Sequence, residues 1–367
     1  MFEDIRPYVD SEIPAAMQRI VSDKYFPLVC DFLFPGKPVV EVAALVGSCR
    51  TVDEFQKRVM YKVIRSIAEK TTDGLSVSGM ERLDPAKDYL FVSNHRDIMM
   101  DAAFLQVLLN EAGRRPSEIT FGANLMQGQL VIDVGRSNKM FRIERPGTVS
   151  SARDFLLKSQ YVSQYIRHTI TQKKESVWIA QRNGRTKDGK DLTDQGIIKM
   201  FCLSGGEDRV QALDQLNIAP LSISYEWEPC DHLKALELYA RSSGQPYIKK
   251  PGEDLNSILT GITQHKGRVH LSVCEPLCRQ ELEPLDALPN PEFNKGVAEL
   301  IDRRIRAAYR LYPNNYIAAD ILNGKRAHSY TDAEKEAFQN HVDGITKDYP
   351  EELRDILLHI YANPVLG

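Results

Sequence analysis

The chain has 367 residues, of which 43% are hydrophobic and 26% charged, and its formal net charge is -3. This length is sufficient for a full α/β core with smaller helical additions, and the composition is that of a globular protein. The near-neutral charge argues against nucleic-acid binding, the scattered cysteines argue against a disulfide framework or a zinc site, and no run approaches the roughly 18 to 20 apolar residues of a membrane span.

The first 85 residues are predicted to be helical, since Val52, Phe55 and Val59 recur at helical spacing. The aromatic segment 25–35 is interpreted as core beneath this helical region, with insertion into a membrane interface as the alternative. The chain opens without an apolar stretch after a basic start, so no signal peptide is expected. We therefore predict a cytoplasmic location, and peripheral contact with the inner face of the membrane stays open.

From residue 88 onward, strand-like runs alternate with helical segments. The predicted strands cover residues 89–93, 118–122, 129–134, 177–180, 220–225 and 268–274. A helix is predicted at 155–171, where Val162, Ile166 and Ile170 recur every four residues. This alternation predicts an α/β fold, with a mixed sheet covered by helices on both faces and helical N- and C-terminal extensions.

The end of the chain is predicted to return to helix, and the charged segment 331–352 is interpreted as a solvated helical surface. These patterns divide the chain into a helical N-terminal region (1–85), a central α/β domain (86–290) and a helical C-terminal extension (291–367).

The first predicted strand ends at the most informative part of the sequence. His95 is followed within six residues by two carboxylates, Asp97 and Asp101, and then by an apolar helical pattern. Sheet proteins place their sites at the carboxyl ends of strands. A carboxylate bound to one ring nitrogen fixes the tautomer, so the other nitrogen can take a proton from a substrate hydroxyl. The alternative is an ordinary helix start, in which Asp97 favours the helix dipole and His95 is an incidental loop residue.

Three further segments favour the functional interpretation. Basic residues, Arg142 and Arg145 among them, follow the predicted strand 129–134, and a glycine-bearing basic loop follows the strand 177–180. A third segment is a buried strand that starts with Pro220. Guanidinium groups bind phosphate through two directed hydrogen bonds. One basic loop alone would be interpreted as solvated surface. The histidine segment, the two basic segments and the Pro220 strand, taken together and in this order, indicate a site.

In their order, these segments resemble the four sequence blocks of the glycerolipid acyltransferase superfamily, which includes glycerol-3-phosphate and lysophosphatidic acid acyltransferases. That family has a His-x4-Asp motif after Asn, an Ile/Phe-rich block ending in Arg, a Glu-Gly-Thr/Gly-Arg block and a strand starting with Pro. The resemblance covers roughly residues 88–280 and is closest at Asn94, His95 and the Pro220 strand.

The chain departs from the family pattern in each of the first three blocks. Five residues separate His95 from Asp101 where the family has four, so Asp101 is expected to orient the histidine and Asp97 is the alternative. Asn183 stands where the third block has its glutamate. Arg145 matches the terminal arginine of the second block, whereas Arg142 stands where the family often has an aromatic or aliphatic residue.

The resemblance implies an O-acyltransferase of the glycerolipid type. In that scheme His95 is the general base, and a fatty acyl group moves from acyl-CoA or acyl-carrier protein to a hydroxyl of glycerol-3-phosphate or a lysophospholipid. The expected partners are therefore the acyl donor thioester and a phosphorylated glycerol-type acceptor, with no cofactor and no metal. The residues implied in substrate binding are Arg142, Arg145, Arg182, Asn183, Gly184, Arg185 and Lys187.

Two other functions stay open at this point. One is a hydrolase or metal enzyme that uses His95, Asp97 and Asp101, although the other histidines show no paired spacing. The other is a non-catalytic protein that binds lipid or an acyl carrier, a hypothesis motivated by the missing glutamate of the third block.

Overall fold

The computed structural model describes residues 1–144, 150–242 and 247–367. Over these residues seven strands form one sheet: β1 (Gly74–Ser78), β2 (Leu90–Ser93), β3 (Glu118–Gly122), β4 (Met140–Ile143), β5 (Val177–Ala180), β6 (Ile218–Tyr225) and β7 (Arg268–Val273). Their order across the sheet is β1-β7-β6-β2-β5-β3-β4.

The helices of the described residues are α1 (Ile13–Ser22), α2 (Phe26–Leu33), α3 (Val39–Gly47), α4 (Val52–Phe55), α5 (Tyr61–Thr71), α6 (Met100–Glu111), α7 (Gln129–Ser137), α8 (Ala152–His168), α9 (Gln195–Cys202), α10 (Arg209–Asp214), α11 (Asp231–Ser242), α12 (Glu253–Thr263), α13 (Arg279–Leu282), α14 (Asn290–Ala308), α15 (Pro313–Asn323), α16 (Asp332–Thr346) and α17 (Glu351–Leu366). Short 3-10 or π segments lie at Asp10–Glu12, Gln56–Met60, Met80–Arg82, Thr169–Lys173 and Glu283–Ala287. None of the described helices is long and apolar enough to cross a membrane.

β2 lies in the middle of the sheet and runs parallel to both of its neighbours, β5 and β6. β7 runs antiparallel to β6, so the sheet is mixed. Alternate side chains of β2 face opposite sides: Leu90 and Val92 pack in one apolar cluster with α8, α9 and α14, and Phe91 packs in another with α6. Helices therefore cover both faces of the sheet, which confirms the predicted fold class.

One predicted strand is wrong. Residues 129–134 belong to helix α7, and the neighbouring strand is β4. The side chains of Leu130 and Val134, four residues apart, pack against the apolar cluster of the N-terminal helices, while Ile132 packs against the cluster beneath the sheet. Because side chains of this segment enter two apolar clusters while Val131 between them is 42% exposed, its apolar run fits a partly buried helix as well as a strand.

The two ends of the chain also differ in part from the predictions. Residues 74–78, within the predicted helical N-terminal region, form β1 and pair in parallel with β7 at the sheet edge. The charged segment 331–352 is mostly helical, but it is not a wholly solvated surface. Phe338 and Val342 of α16 are fully buried in a cluster with α11, α15 and α17, because only one face of α16 is polar.

The aromatic segment 25–35 divides between the two interpretations that the sequence allowed. In α2, Phe26 and Cys30 are buried among the N-terminal helices. On the same helix Leu28 and Phe32 are exposed. The segment is therefore both part of a core and an exposed apolar surface.

Candidate active site

The histidine loop leaves β2 at Ser93 and enters α6 at Met100. His95 is only 9% exposed, and its Nδ1 lies 2.8 Å from Oδ2 of Asp101. The ring packs edge-on against Trp178 of β5, with ring centroids 5.7 Å apart. An ionised Asp101 can only accept a hydrogen bond, so the contact places the proton on Nδ1 and leaves Nε2 to act as a base.

Four donors converge on the carboxylate of Asp101. Besides the imidazole, the backbone N–H groups of Arg96 and Asp97 donate to Oδ2, at 2.6 and 3.0 Å. The hydroxyl of Tyr225, the last residue of β6, donates to Oδ1 at 2.7 Å. With 1% of its surface exposed, Asp101 is held in a single orientation.

Asp97 has a different place in the loop. Its Oδ1 accepts hydrogen bonds from the backbone N–H groups of Met99 and Met100, at 2.9 and 2.8 Å, and so satisfies donors at the start of α6. Its Oδ2 has no hydrogen-bond partner among the described residues and lies against Gly261 of α12. The extra residue between His95 and the helix is therefore absorbed in the turn, and the geometry pairs His95 with Asp101.

A buried ionic network lies beneath the histidine loop. The guanidinium of Arg96 contacts Asp191 at 2.7 Å and Glu228 at 3.1 Å. The ammonium of Lys234 contacts Glu228 at 2.5 Å and the carbonyl oxygen of Arg96 at 2.7 Å. Burial alone would lower the pKa of Arg96, but the carboxylates of Asp191 and Glu228 raise it well above its ordinary value. The network joins the histidine loop to the loop after β5 and to α11.

The sequence analysis did not identify this network. Asn94 also belongs to it. Its side-chain N–H groups donate to the carboxylate of Asp191 at 2.9 Å and to the carbonyl oxygen of Ile223 at 3.0 Å, and its side-chain oxygen accepts from the N–H group of Ile223 at 2.7 Å. The local signal was that Arg96 follows His95 directly in a short polar stretch, Ser93 to Asp97, between an apolar strand and a largely apolar helix. Asp191 stands in a stretch that is rich in charge, and such a stretch by itself indicates solvated surface.

The basic loop after β5 reaches the same cavity as His95. Arg182, Asn183, Gly184, Arg185 and Lys187 all line it. Within the described parts of the chain, neither Arg182 nor Arg185 has a carboxylate partner, and Nη1 of Arg185 is buried without a hydrogen bond. Gly184 has a φ of 75°, the left-handed conformation that glycine adopts without strain.

Lys187 is paired with Glu237 of α11. Burial lowers the pKa of Lys187, and the pairing with Glu237 offsets part of that effect. Lys187 is therefore tied to α11. Neither arginine is held by a carboxylate among the described residues, and Arg185 contacts the thiol of Cys230.

The second basic segment contributes less than the sequence predicted. Arg142 is 48% exposed at its side chain and pairs with Glu144 at 2.7 Å; it does not line the cavity, whereas Glu144 does. Arg145 lies outside the described residues. Because side chains alternate along β4, Arg142 points away from the core that Phe141 enters.

The cavity has a volume of about 530 Å³. Its wall combines a basic side at the loop after β5 with an apolar side formed by the sheet, the loop after β3 and the two helices α8 and α9. The apolar side chains that line it are Phe121, Leu125, Ile143, Phe155, Val162, Trp178, Ile179, Ile197 and Met200. His95 contacts both sides: its ring packs against Trp178 of the apolar side, and its carbonyl oxygen accepts a hydrogen bond from the N–H group of Thr186 in the basic loop at 2.8 Å.

Another part of the wall comes from the excursion between β6 and β7. Leu238 and Arg241 of α11, together with Lys249 and Asp254, line the cavity. Arg241 pairs with Glu237 at 2.5 Å. The sequence analysis did not include these residues, because nothing local connects the excursion to the histidine loop.

Fold and site define an α/β protein with a His–Asp pair at the carboxyl ends of its strands, facing a cavity that is basic on one side and apolar on the other. A protein-family model described as Acyltransferase matches residues 74–224, which contain the histidine loop and the basic loop after β5. This segment is an acyltransferase domain, and the resemblance predicted from the sequence is confirmed at that level.

Among solved structures, the chain is similar to the 1-acyl-sn-glycerophosphate (LPA) acyltransferase PlsC from Thermotoga maritima. The identity is 15%, the TM-score is 0.39, and the match covers 80% of this chain and 94% of that one. A search of curated proteins finds no match.

Proposed function

We propose that the protein transfers a fatty acyl group from an acyl thioester, acyl-CoA or acyl-carrier protein, to a hydroxyl of glycerol-3-phosphate or a lysophospholipid. One observation carries the proposal: the His95–Asp101 pair and the arginines Arg182 and Arg185, which have no carboxylate partner among the described residues, line one cavity whose other side is apolar. The acyltransferase domain at residues 74–224 supports the reaction class.

In the proposed reaction Nε2 of His95 removes the proton of the acceptor hydroxyl. The oxygen attacks the thioester carbonyl, the tetrahedral intermediate expels the thiolate, and the imidazolium returns its proton to that thiolate. Asp101 keeps the proton on Nδ1 and stabilises the imidazolium while it exists, as a buried carboxylate can. A positioned base of this kind typically contributes about 10²–10⁴-fold to the rate.

The basic side of the cavity is proposed to bind the phosphate of the acceptor. Arg185 has a buried N–H group without a hydrogen-bond partner among the described residues, and a phosphate oxygen would satisfy it. Arg145 stays a prediction for the same role, since it lies outside the described residues. Asn183 lines the cavity where the family has a glutamate, so it supplies hydrogen bonds without adding negative charge near the phosphate.

The apolar side of the cavity is proposed to hold the acyl chain. Phe121, Val162 and Met200 belong to this wall, and burial of each methylene there is worth about 0.8 kcal/mol. A chain bound in this way would place its thioester carbonyl near His95.

The test is an assay of the purified protein with acyl-CoA or acyl-carrier protein against a panel of phosphorylated and unphosphorylated acceptors, with products identified by mass spectrometry. His95→Ala should lower turnover by about 10²–10⁴-fold, while His359→Ala, at an exposed position of α17, should leave it unchanged. Near-normal turnover of His95→Ala would overturn the mechanism. Free fatty acid without acylated acceptor would favour a hydrolase, and binding without any product would favour a non-catalytic protein.

We also propose peripheral contact between the N-terminal helices and an anionic membrane surface. Leu28 and Phe32 of α2 are 68% and 42% exposed, and Tyr25, which precedes the helix, is 55% exposed. Lys24 and Lys37 flank this helix at its two ends, both exposed. Exposed apolar side chains flanked by lysines match the headgroup region of an anionic bilayer. A cytoplasmic location is supported by the six free cysteines, the state that a reducing compartment maintains.

Flotation with vesicles containing anionic lipid tests the membrane contact. The double variant Leu28→Ser/Phe32→Ser should lose most of the vesicle-bound fraction and keep its fold, because both side chains are exposed. Leu288→Ser, which removes a side chain of 40% exposure far along the chain from α2, is the matched control. Equal flotation of the double variant and the control would contradict the contact.

A further inference from the structure

Tyr225 and His95 share one carboxylate from opposite sides. The tyrosine hydroxyl donates to Oδ1 of Asp101 at 2.7 Å, and the imidazole Nδ1 lies 2.8 Å from Oδ2. Tyr225 and Asp101 are each 1% exposed. Water therefore has no access to replace the hydroxyl, and the state of this carboxylate depends on both partners.

The sheet places Tyr225 at this position. β6 pairs with β2 as far as Ser93 and Leu221, and then continues four residues past the end of β2. The last of these residues is Tyr225, so its side chain reaches the first turn of α6. The acyltransferase family model ends one residue earlier, at 224.

We propose that Tyr225 is a positioning residue for the His95–Asp101 pair, which fixes the carboxylate and withdraws part of its charge and so tunes the proton affinity of His95. This inference rests on the proposed function, in which His95 is the base. Burial, reinforced by Asp101, raises the pKa of the Tyr225 phenol well above its ordinary value, so the hydroxyl stays protonated and remains a donor.

Removal of the Tyr225 hydroxyl should change the proton affinity of His95 in one direction only. Without Tyr225, Oδ1 of Asp101 would be buried and without its donor, and the carboxylate would carry more of its charge toward His95. A stronger negative potential stabilises the imidazolium relative to the neutral ring. Because only the neutral imidazole is a base, the acidic limb of the profile of kcat/KM against pH moves to higher pH.

Other charged or titratable groups surround the pair on every side. Those of the neighbouring elements are Arg96, Asp97, Arg182, Arg185, Lys187, Glu228, Cys230, Lys234 and Lys266. All of them are present in the wild type and in a variant that lacks only the hydroxyl. A displacement of the acidic limb between the two proteins therefore measures the effect of the Tyr225 hydroxyl on the His95–Asp101 pair.

The experiment compares Tyr225→Phe with the wild type in acyl transfer from acyl-CoA, measured across pH. The acidic limb is expected to move up by roughly one pH unit, so that kcat/KM falls about tenfold on the acidic side and changes little on the alkaline plateau. In parallel, the ring nitrogens of His95, assigned by comparison with His95→Ala, are titrated by ¹⁵N NMR. That titration should show the same displacement without any substrate.

Tyr165→Phe is the matched control. Tyr165 is also a buried tyrosine that donates to a buried carboxylate, Glu118, at 2.6 Å. Glu118 is the first residue of β3, at the amino ends of the parallel strands, whereas the histidine loop follows the carboxyl end of β2. Tyr165→Phe should lower the melting temperature and leave the acidic limb in place, because its role is structural.

A second substitution keeps the test decisive if Tyr225→Phe does not fold. Replacement of Tyr225 by 3-fluorotyrosine preserves its shape and strengthens the donor, so the acidic limb should move to lower pH. An unmoved limb and an unmoved His95 titration in a folded variant would overturn the inference. If instead the wild type transfers no acyl group, or His95→Ala stays active, the proposed function fails, while the NMR titration still decides the role of Tyr225.

Discussion

Replacement of Asp101 by asparagine separates the two contributions of this carboxylate, its charge and its geometry. In the wild type Oδ2 accepts from the imidazole and from the backbone N–H groups of Arg96 and Asp97, while Oδ1 accepts from Tyr225. An amide NH₂ group cannot face two backbone N–H donors, so the amide oxygen of Asp101→Asn must occupy the Oδ2 position. The hydroxyl of Tyr225 can rotate and accept from the NH₂ group.

The variant therefore keeps the proton on Nδ1 of His95 and loses only the charge. Opposite unit charges about 4 Å apart attract by roughly 4 kcal/mol at an effective dielectric constant near 20. Since the imidazolium is only partly formed in the transition state, about 3 kcal/mol is the expected loss, which is on the order of 10²-fold in kcat/KM. Loss of the negative charge also disfavours the imidazolium, so the acidic limb of the profile of kcat/KM against pH should move to lower pH.

Asp101→Ala is the comparison variant for this prediction. It removes all four hydrogen bonds of the carboxylate, frees the imidazole to rotate and leaves buried donors unpaired. Its kcat/KM should fall further, by roughly 10³–10⁴-fold, with a lower melting temperature. Steady-state kinetics across pH, together with thermal unfolding, measure both variants. Equal losses for the two substitutions would refute the reasoning, because they would mean that the orientation of the amide oxygen contributes nothing.

Three further predictions follow from other contacts. Arg185→Ala should raise KM for a phosphorylated acceptor by roughly 10- to 100-fold with little change in kcat, because it removes charge-assisted hydrogen bonds to the phosphate. Gly261→Ala should lower the free energy of unfolding by about 1–3 kcal/mol, since its Cβ would lie 2.0 Å from Oδ2 of Asp97. Lys266 is buried, and burial lowers its pKa to about 8. Between about pH 8 and the unfolded pKa near 10.4, the unfolded chain therefore binds more protons than the folded one. The free energy of unfolding should rise with pH over that range. Lys266→Met should abolish that rise, measured by denaturant unfolding at pH 8 and pH 10.

Each of these predictions has its own check. An unchanged KM for Arg185→Ala would mean that the phosphate binds elsewhere. Gly344→Ala in α16 is the control for Gly261→Ala. Apart from its chain neighbours and the backbone of its own helix, no described heavy atom lies within 4 Å of the added Cβ, so this change should be neutral or stabilise by about 0.5–1 kcal/mol. An equally steep rise of stability in Lys266→Met would assign the effect to another group.

Much of the sheet could be predicted from local pattern. The strands at 118–122 and 177–180 agree with β3 and β5 because buried parallel strands are short apolar runs bounded by polar turns. The segment 129–134 was ambiguous because a helix whose side chains enter two different apolar clusters also appears as an apolar run. Only the packing of Leu130 and Val134 against the N-terminal helices decided for α7. β1 was missed because an edge strand with exposed serines carries a weak pattern and gains its hydrogen bonds only from β7.

For the candidate site, the sequence by itself determined the chemistry at the strand ends: a histidine with carboxylates after β2 and a basic, glycine-bearing loop after β5. These are adjacent in the chain to strong strand signals, and parallel neighbours bring their carboxyl ends together. Only the tertiary structure decided that Asp101 and not Asp97 bonds His95, that Arg142 does not line the cavity, and that Tyr225 and Arg96 hold the site from beneath. Those outcomes depend on contacts between residues up to 138 positions apart, and no local propensity encodes a contact of that range.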